Sequence, residues 1–110
     1  MHAFDVLSDP VRRRILELLS HRELSSGQIV EVISKEFQIS QSAVSQHLKV
    51  LRDNGFAVFT IEGPRRIYTL ETSGLEEADK WLNEFRRLWS PKFEALATEI
   101  ARGKRKRSRR

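Results

Sequence analysis

Apolar residues follow two different rhythms along this chain, and the change between them divides it. Through the first 55 residues they recur at three- and four-residue steps. Val11, Ile15, Leu18 and Leu19 make one stripe just after Ser8-Asp9-Pro10. Asp9 can cap a helix there, and Pro10 suits the first helical position, where a missing N–H costs nothing. Arg12, Arg13 and Arg14 lie mostly off the stripe. Ahead of it, Phe4 and Leu7 predict a short helical segment that needs something to pack on. Ser25-Ser26 caps a further helix whose Ile29, Ile33 and Phe37 share a face. Gln38-Ile39 then makes a tight connection to Ser40, the cap of a helix over about residues 41–54. Asn54-Gly55 closes that helix, since either residue can take the left-handed conformation.

From Phe56 the period shortens. AVFTIE (57–62) and IYTLE (67–71) are rich in β-branched and aromatic residues, with Gly63-Pro64-Arg65-Arg66 between them. This predicts a β-hairpin over about 57–71 with a four-residue basic tip. Thr72-Ser73-Gly74 ends the strand and opens a helical region over about 73–101. There Leu75, Ala78, Leu82, Phe85 and Trp89 repeat at helical spacing, and Phe93, Leu96, Ala97 and Ile100 continue it past Ser90-Pro91, which acts as a kink or a fresh start. Helices followed by a helix–turn–helix and a hairpin make a mainly α fold with a small β-hairpin, a winged helix–turn–helix. The hairpin is the wing. Residues 1–101 read as one domain and 102–110 as a separate tail.

The segment SQSAVSQHLKVLRDNGF (40–56) carries the most chemistry. At 100° per residue, Val44, Leu48 and Leu51 fall within an arc of about 60°, whereas Gln41, Ser42, Ser45, Gln46, Lys49 and Arg52 spread over about 140° on the other side. The first arc is expected to be buried and the second to face outward, free of acids. An α-helix fits the DNA major groove, where bases present paired donors and acceptors. A Gln amide carries both, Ser can donate or accept one bond, and Lys49 and Arg52 can reach a guanine edge or a phosphate. The free N–H groups at the helix start can hold a phosphate as well. Arg65 and Arg66 in the wing are placed to reach a flanking minor groove or the backbone. The plain alternatives are a solvated helix face that lacks Glu and a charged loop kept for solubility.

Composition sharpens this picture. At 110 residues and 39% apolar content, one core-forming domain is expected. The net charge of +5 is uneven: RGKRKRSRR (102–110) holds seven of the 20 basic residues and no acid, and the other 101 residues carry 13 basic and 15 acidic groups. Affinity for DNA must therefore come from local placement of charge, with the tail adding sequence-independent attraction to phosphate. With no cysteine, disulfides, thiolate metal sites and cysteine nucleophiles are excluded. His2, His21 and His47 lie on different elements, so no metal site and no cofactor are expected; His47, between the two arcs, is expected to pack or to meet a phosphate. No stretch is apolar enough to span a membrane, and MHAFDVLSDP lacks the basic start and apolar core of a signal peptide, so a cytoplasmic protein with no membrane partner is expected. No Ser-His-Asp arrangement, paired carboxylates or glycine-rich phosphate loop suggests an enzyme.

FDVLSDPVRRRILELL, SQSAVSQHLKVLRDNGF and the EGPRRIYTL hairpin together resemble the ArsR/SmtB family of small bacterial winged-helix repressors, over about residues 3 to 90. The resemblance implies that the helix matching 41–54 enters the major groove of double-stranded operator DNA, that the hairpin is a wing, and that the protein is a homodimeric repressor released by a signal. Many members sense metals through cysteines near the start of the helix that here reads SSGQIVEV, and others through Asp and His on the last helix, where residues 75–100 hold no histidine. The sequence is closer to the metal-independent branch, with an effector of unknown identity. The final helical region has more apolar surface than one stripe can bury. A dimer interface is therefore expected from Phe4, Leu7, Trp81, Leu82, Phe85, Leu88, Trp89 and Phe93, and a two-fold dimer implies an inverted-repeat site. The competing reading is a winged helix used for protein–protein contact without a DNA target. It would favour acids or apolar patches on the outward arc of the 41–54 helix.

Overall fold

The structure, a computed structural model, describes residues 1–90 and 100. Its elements are α1 (Ala3–Leu7), α2 (Pro10–Leu19), β1 (Leu24–Ser25), α3 (Ser26–Phe37), α4 (Gln41–Asp53), β2 (Ala57–Glu62), β3 (Arg65–Leu70) and α5 (Ser73–Asn83). The chain forms two compact units, Met1–Ala78 and Asp79–Arg110. Among the described residues no helix is long and apolar enough to cross a membrane.

Helices α1 to α4 each start where a side chain accepts from a free N–H group. Asp9 Oδ1 accepts from Val11 and Arg12, at 2.8 and 3.2 Å. Ser25 and Gln28 form a reciprocal capping box at the start of α3. Ser40 Oγ accepts from Ala43 N–H at 3.1 Å. The apolar stripes then converge: Val6, Ile15, Ile29, Ile33, Val44, Leu51 and Phe56 are fully buried in one core. Phe4 and Leu7 are half-buried against that core.

The arginine run that lies off the α2 stripe has structural work. Arg12 Nε and Nη2 donate to the carbonyls of Val6 and Asp5, and Arg13 Nη1 donates to that of Leu7. These are carbonyls at the C-terminal end of α1, which a five-residue helix cannot satisfy internally. Arg14 grips both carboxylate oxygens of Glu36 on α3, at 3.0 and 3.2 Å, and that carboxylate holds the guanidinium above its ordinary pKa.

The sheet departs from expectation in two ways. It has three strands in the order β1-β3-β2, because Leu24 and Ser25 pair antiparallel with Tyr68 and Ile67. The expected four-residue tip is also shorter. Glu62 pairs with Arg65 and Ile61 with Arg66, so only Gly63 and Pro64 lie outside the ladder. Gly63 sits at φ 61°, the left-handed first position that a two-residue hairpin turn favours. Arg65 and Arg66 are therefore consecutive strand residues and face opposite sides of the wing.

Where α4 ends, Asn54 keeps a negative φ of −112° and Gly55 takes φ 75°. The Gly55 carbonyl then accepts from Gly74 N–H at 2.8 Å and from the Ser73 hydroxyl at 3.1 Å, and the Phe56 carbonyl accepts from Glu71 N–H at 3.0 Å. Ser73 also donates through its hydroxyl and amide to the Glu71 carboxylate, which lowers that carboxyl's pKa. Gly74 lies against the Phe56 ring at this junction. A Cβ there would stand 2.5 Å from two carbons of the Phe56 ring. Gly74→Ala is expected to destabilise the protein by about 1–3 kcal/mol, the usual range for overpacking a close contact. Urea unfolding followed by circular dichroism measures it, and an unchanged midpoint would count against this contact.

In the second unit the helical region expected over about 73–101 breaks earlier than Ser90-Pro91. After Asn83 the chain turns at 84–85 and is helical again over 86–90. Phe85 N–H reaches back to Leu82 and Glu84 N–H to Trp81, three residues rather than four, which tightens the chain out of the α-helix. The Trp81 and Phe85 rings then meet at a tilt with centres 4.6 Å apart, and Arg86 pairs with Asp79 at 2.6 Å. The expectations that rest on Pro91, Phe93, Leu96, Ala97 and residues 102–110 lie outside the described residues.

Candidate nucleic-acid interface

The geometry of α4 follows from its two ends. Gln38 closes α3 in the left-handed conformation, at φ 55°, so the chain reverses within two residues and Ser40 can start the next helix. This places α4 across α2 and α3 with one side locked inward: Val44 and Leu51 are 0% exposed and Leu48 is 3% exposed. The opposite side carries Gln41, Ser42, Ser45, Gln46 and Lys49, all exposed. Lys49 is the one charge among those five. The wheel reading of α4 thus agrees with the observed burial at each of these positions.

Two details differ from it. Arg52 is half-buried rather than outward. Its guanidinium lies 5.2 Å from the centre of the Phe59 ring on β2, packed back toward the wing. Asp53, the last residue of α4, is exposed and falls in the outward arc, so the acid-free face ends at Arg52. His47 is half-buried at the edge of the helix, and Arg12 Nη1 donates to its Nδ1 at 3.4 Å. That contact ties α4 to the same arginine that holds the end of α1. It belongs to no periodic pattern, and the sequence carries no signal for it.

The wing supplies the second part of the face. Phe59 and Tyr68 are cross-strand partners with ring centres 5.4 Å apart. Arg66 lies over the same Phe59 ring at 5.0 Å, on the side of the wing that Tyr68 shares. Arg65 is exposed on the other side, directly across from Glu62. The structure thus brings Arg66 and Arg52 together and separates Arg65 from both. Ile61, next to the turn, is 71% exposed. Among the described residues no group of three or more His, Asp or Glu side chains is placed to hold a metal ion.

A helix seated on two others, with a neutral hydrogen-bonding face outward and a short basic hairpin beside it, is the arrangement of a winged helix–turn–helix. The family described as bacterial regulatory protein, arsR family, matches residues 9–57. The HTH-type transcriptional regulator Rv2034 of Mycobacterium tuberculosis is 36% identical over 83 residues, covering 76% of this chain and 74% of that protein. The transcriptional repressor SdpR of Bacillus subtilis is 32% identical over 84 residues, covering 76% of this chain and 89% of that one. The chain belongs to the ArsR family. It is a DNA-binding transcriptional regulator rather than an enzyme. The crystal structure of an ArsR family transcriptional regulator superposes with a TM-score of 0.67 at 26% identity, over 80% of this chain and 87% of that one. A structure described as a possible transcriptional regulator for arsenical resistance gives 0.65 at 31% identity, over 78% and 85%. The match to the family spans α2 to the start of the wing, so the ArsR signature covers the element that carries the outward polar face.

Proposed function

We propose that this ArsR-family protein is a homodimeric repressor that binds an inverted-repeat operator in the cytoplasm, without a metal-sensing site. The observation that carries the reading is the outward face of α4. Gln41, Ser42, Ser45, Gln46 and Lys49 are all exposed on a helix whose other side is sealed by Val44, Leu48 and Leu51. Short amides and hydroxyls at these positions suit base edges in a major groove, and Lys49 reaches a guanine or a phosphate. Arg65 from the outer side of the wing approaches backbone, while Arg52 and Arg66 work together at the junction of α4 and the wing. The absence of cysteine from the sequence removes thiolate ligands for a metal signal, so any effector acts by other chemistry.

The dimer rests on the second unit. Trp81 and Leu82 are exposed, and Leu88 is 63% exposed. Three large apolar groups that keep part of their surface open to water within eight residues suit burial against a second copy. Phe85 and Trp89 are half-buried within that unit and would flank the contact. Phe4 and Leu7 are half-buried against the core of the first unit, so the part proposed for them in the dimer rests on the surface they leave open. Gel shifts against the DNA upstream of the protein's own gene, with sedimentation in parallel, test the reading. A dimer that binds a specific duplex and ignores a scrambled one is expected. A monomer at micromolar concentration would remove the inverted repeat, and equal affinity for both duplexes would remove the operator.

A further inference from the structure

Between α4, the start of α3 and the inner side of the wing lies a pocket of about 230 Å³ lined by Ser26, Ser45, Leu48, Arg52, Arg66 and Tyr68. That is several times the roughly 30 Å³ occupied by a water molecule in the liquid. Its lining holds two guanidinium groups, three hydroxyls and no acid. Arg52 and Arg66 come from different elements, yet both stack on one Phe59 ring, at 5.2 and 5.0 Å. Neither forms an ion pair with any described residue. Two cations held on a shared aromatic without a carboxylate is an arrangement that an anion would stabilise.

Arg52 Nε is closed off and without a hydrogen-bond partner, whereas the two Nη atoms stay accessible, so an anion in the pocket meets the guanidinium through those outer nitrogens. The position of Arg52 in the last turn of α4 accounts for a cation there, since the helix end is negative. A planar guanidinium fork matches the oxygens of phosphate.

We propose that this pocket is an oxyanion site for a phosphate-class group, held by Arg52 and Arg66, with the hydroxyls of Ser26, Ser45 and Tyr68 around it. The occupant is either a backbone phosphate of bound DNA or a free phosphate-bearing ligand. Ser45 and Arg66 are exposed, so the pocket opens on the surface that α4 presents. Arg52 and Arg66 then act on phosphate oxygens and do not read bases.

The test is a titration of the full chain with inorganic phosphate against chloride at constant ionic strength, following the arginine Nε–H signals by NMR. A saturable shift of Arg52 with phosphate and none with chloride is expected. Arg66→Gln, at an exposed strand position, should weaken phosphate binding by about tenfold or more, as for loss of one hydrogen bond to a charged group. Arg52→Gln should abolish saturation, and Arg22→Gln, on an exposed residue away from the pocket, should leave it unchanged. Equal, unsaturated responses to both anions, or an Arg66→Gln protein that binds phosphate as well as the parent, would overturn the site. A second arm adds phosphate to the protein–DNA complex and separates the two sources. Competition lost in Arg52→Gln identifies a backbone phosphate, and phosphate binding that leaves DNA affinity unchanged identifies a free ligand; either supports the site. That arm rests on the DNA-binding reading above and the first does not, so the failure of one is distinguishable from failure of the other.

Discussion

Phe56→Ala is expected to destabilise the protein by about 3–5 kcal/mol, the range for deleting a fully buried aromatic ring. Phe56 is 0% exposed and heads the fully buried side chains by volume. It also stands where α4 gives way to β2. Its N–H donates to Leu51 at 2.9 Å, its carbonyl accepts from Glu71, and its ring meets Gly74. A cavity there loosens the junction that fixes the wing against α4. Domains of this size have about 5–15 kcal/mol in total, so the loss is a large share of the whole and the unfolded population should rise by about 100-fold or more. Phe56→Leu, closer in volume, should cost below about 1.5 kcal/mol if the core repacks. Chemical denaturation of both variants measures the difference. DNA affinity should fall in proportion to the unfolded fraction in Phe56→Ala and change little in Phe56→Leu.

Lys49→Glu is expected to do the reverse: to leave stability within about 0.5 kcal/mol and to lower operator affinity by about 100-fold or more. Lys49 is exposed in the middle of the outward side of α4, with no ion-pair partner among the described residues, so folding does not depend on its charge. In a groove lined by phosphates the new carboxylate loses one attraction and adds a repulsion. Lys49→Ala removes only the attraction and should cost about 1–3 kcal/mol if the ammonium reaches a base edge. If it meets a phosphate instead, the salt dependence of log K should flatten by about 0.9 and all sequences should weaken alike. Unchanged operator binding by Lys49→Glu, in a protein with unchanged melting, would remove α4 from the interface.

Much of this arrangement was legible in the residues. Asp9, Ser25 and Ser40 announce helix starts because a capping oxygen and the apolar stripe after it are both local features. The two faces of α4 follow from a period of 3.6 alone. What was not legible depends on residues far apart in sequence. A two-residue strand at Leu24–Ser25 has no period of its own and exists because β3 offers it a partner. Periodicity puts the arginines of α2 mostly off the stripe and names no partner for them; Arg12 and Arg13 hold the end of α1 and Arg14 holds Glu36. Polarity alone puts Arg65 and Arg66 in the wing tip, since they follow Pro64 without a break; pairing places them in the strand, on opposite sides. Arg52 fits an outward helical position on the wheel, and only the wing's Phe59, seven residues on, draws it back. The candidate interface was therefore readable as a face, and the division of labour among its arginines was not.

On this reading the outward side of α4 recognises bases and does not merely meet the backbone. A double-mutant cycle between Gln46→Ala and single base-pair changes in the operator tests it most directly. The expected result is that at one position the two changes together cost less than the sum of their separate effects, with a coupling of about 1–3 kcal/mol, because each removes the same contact. Losses that add at every base pair would contradict it.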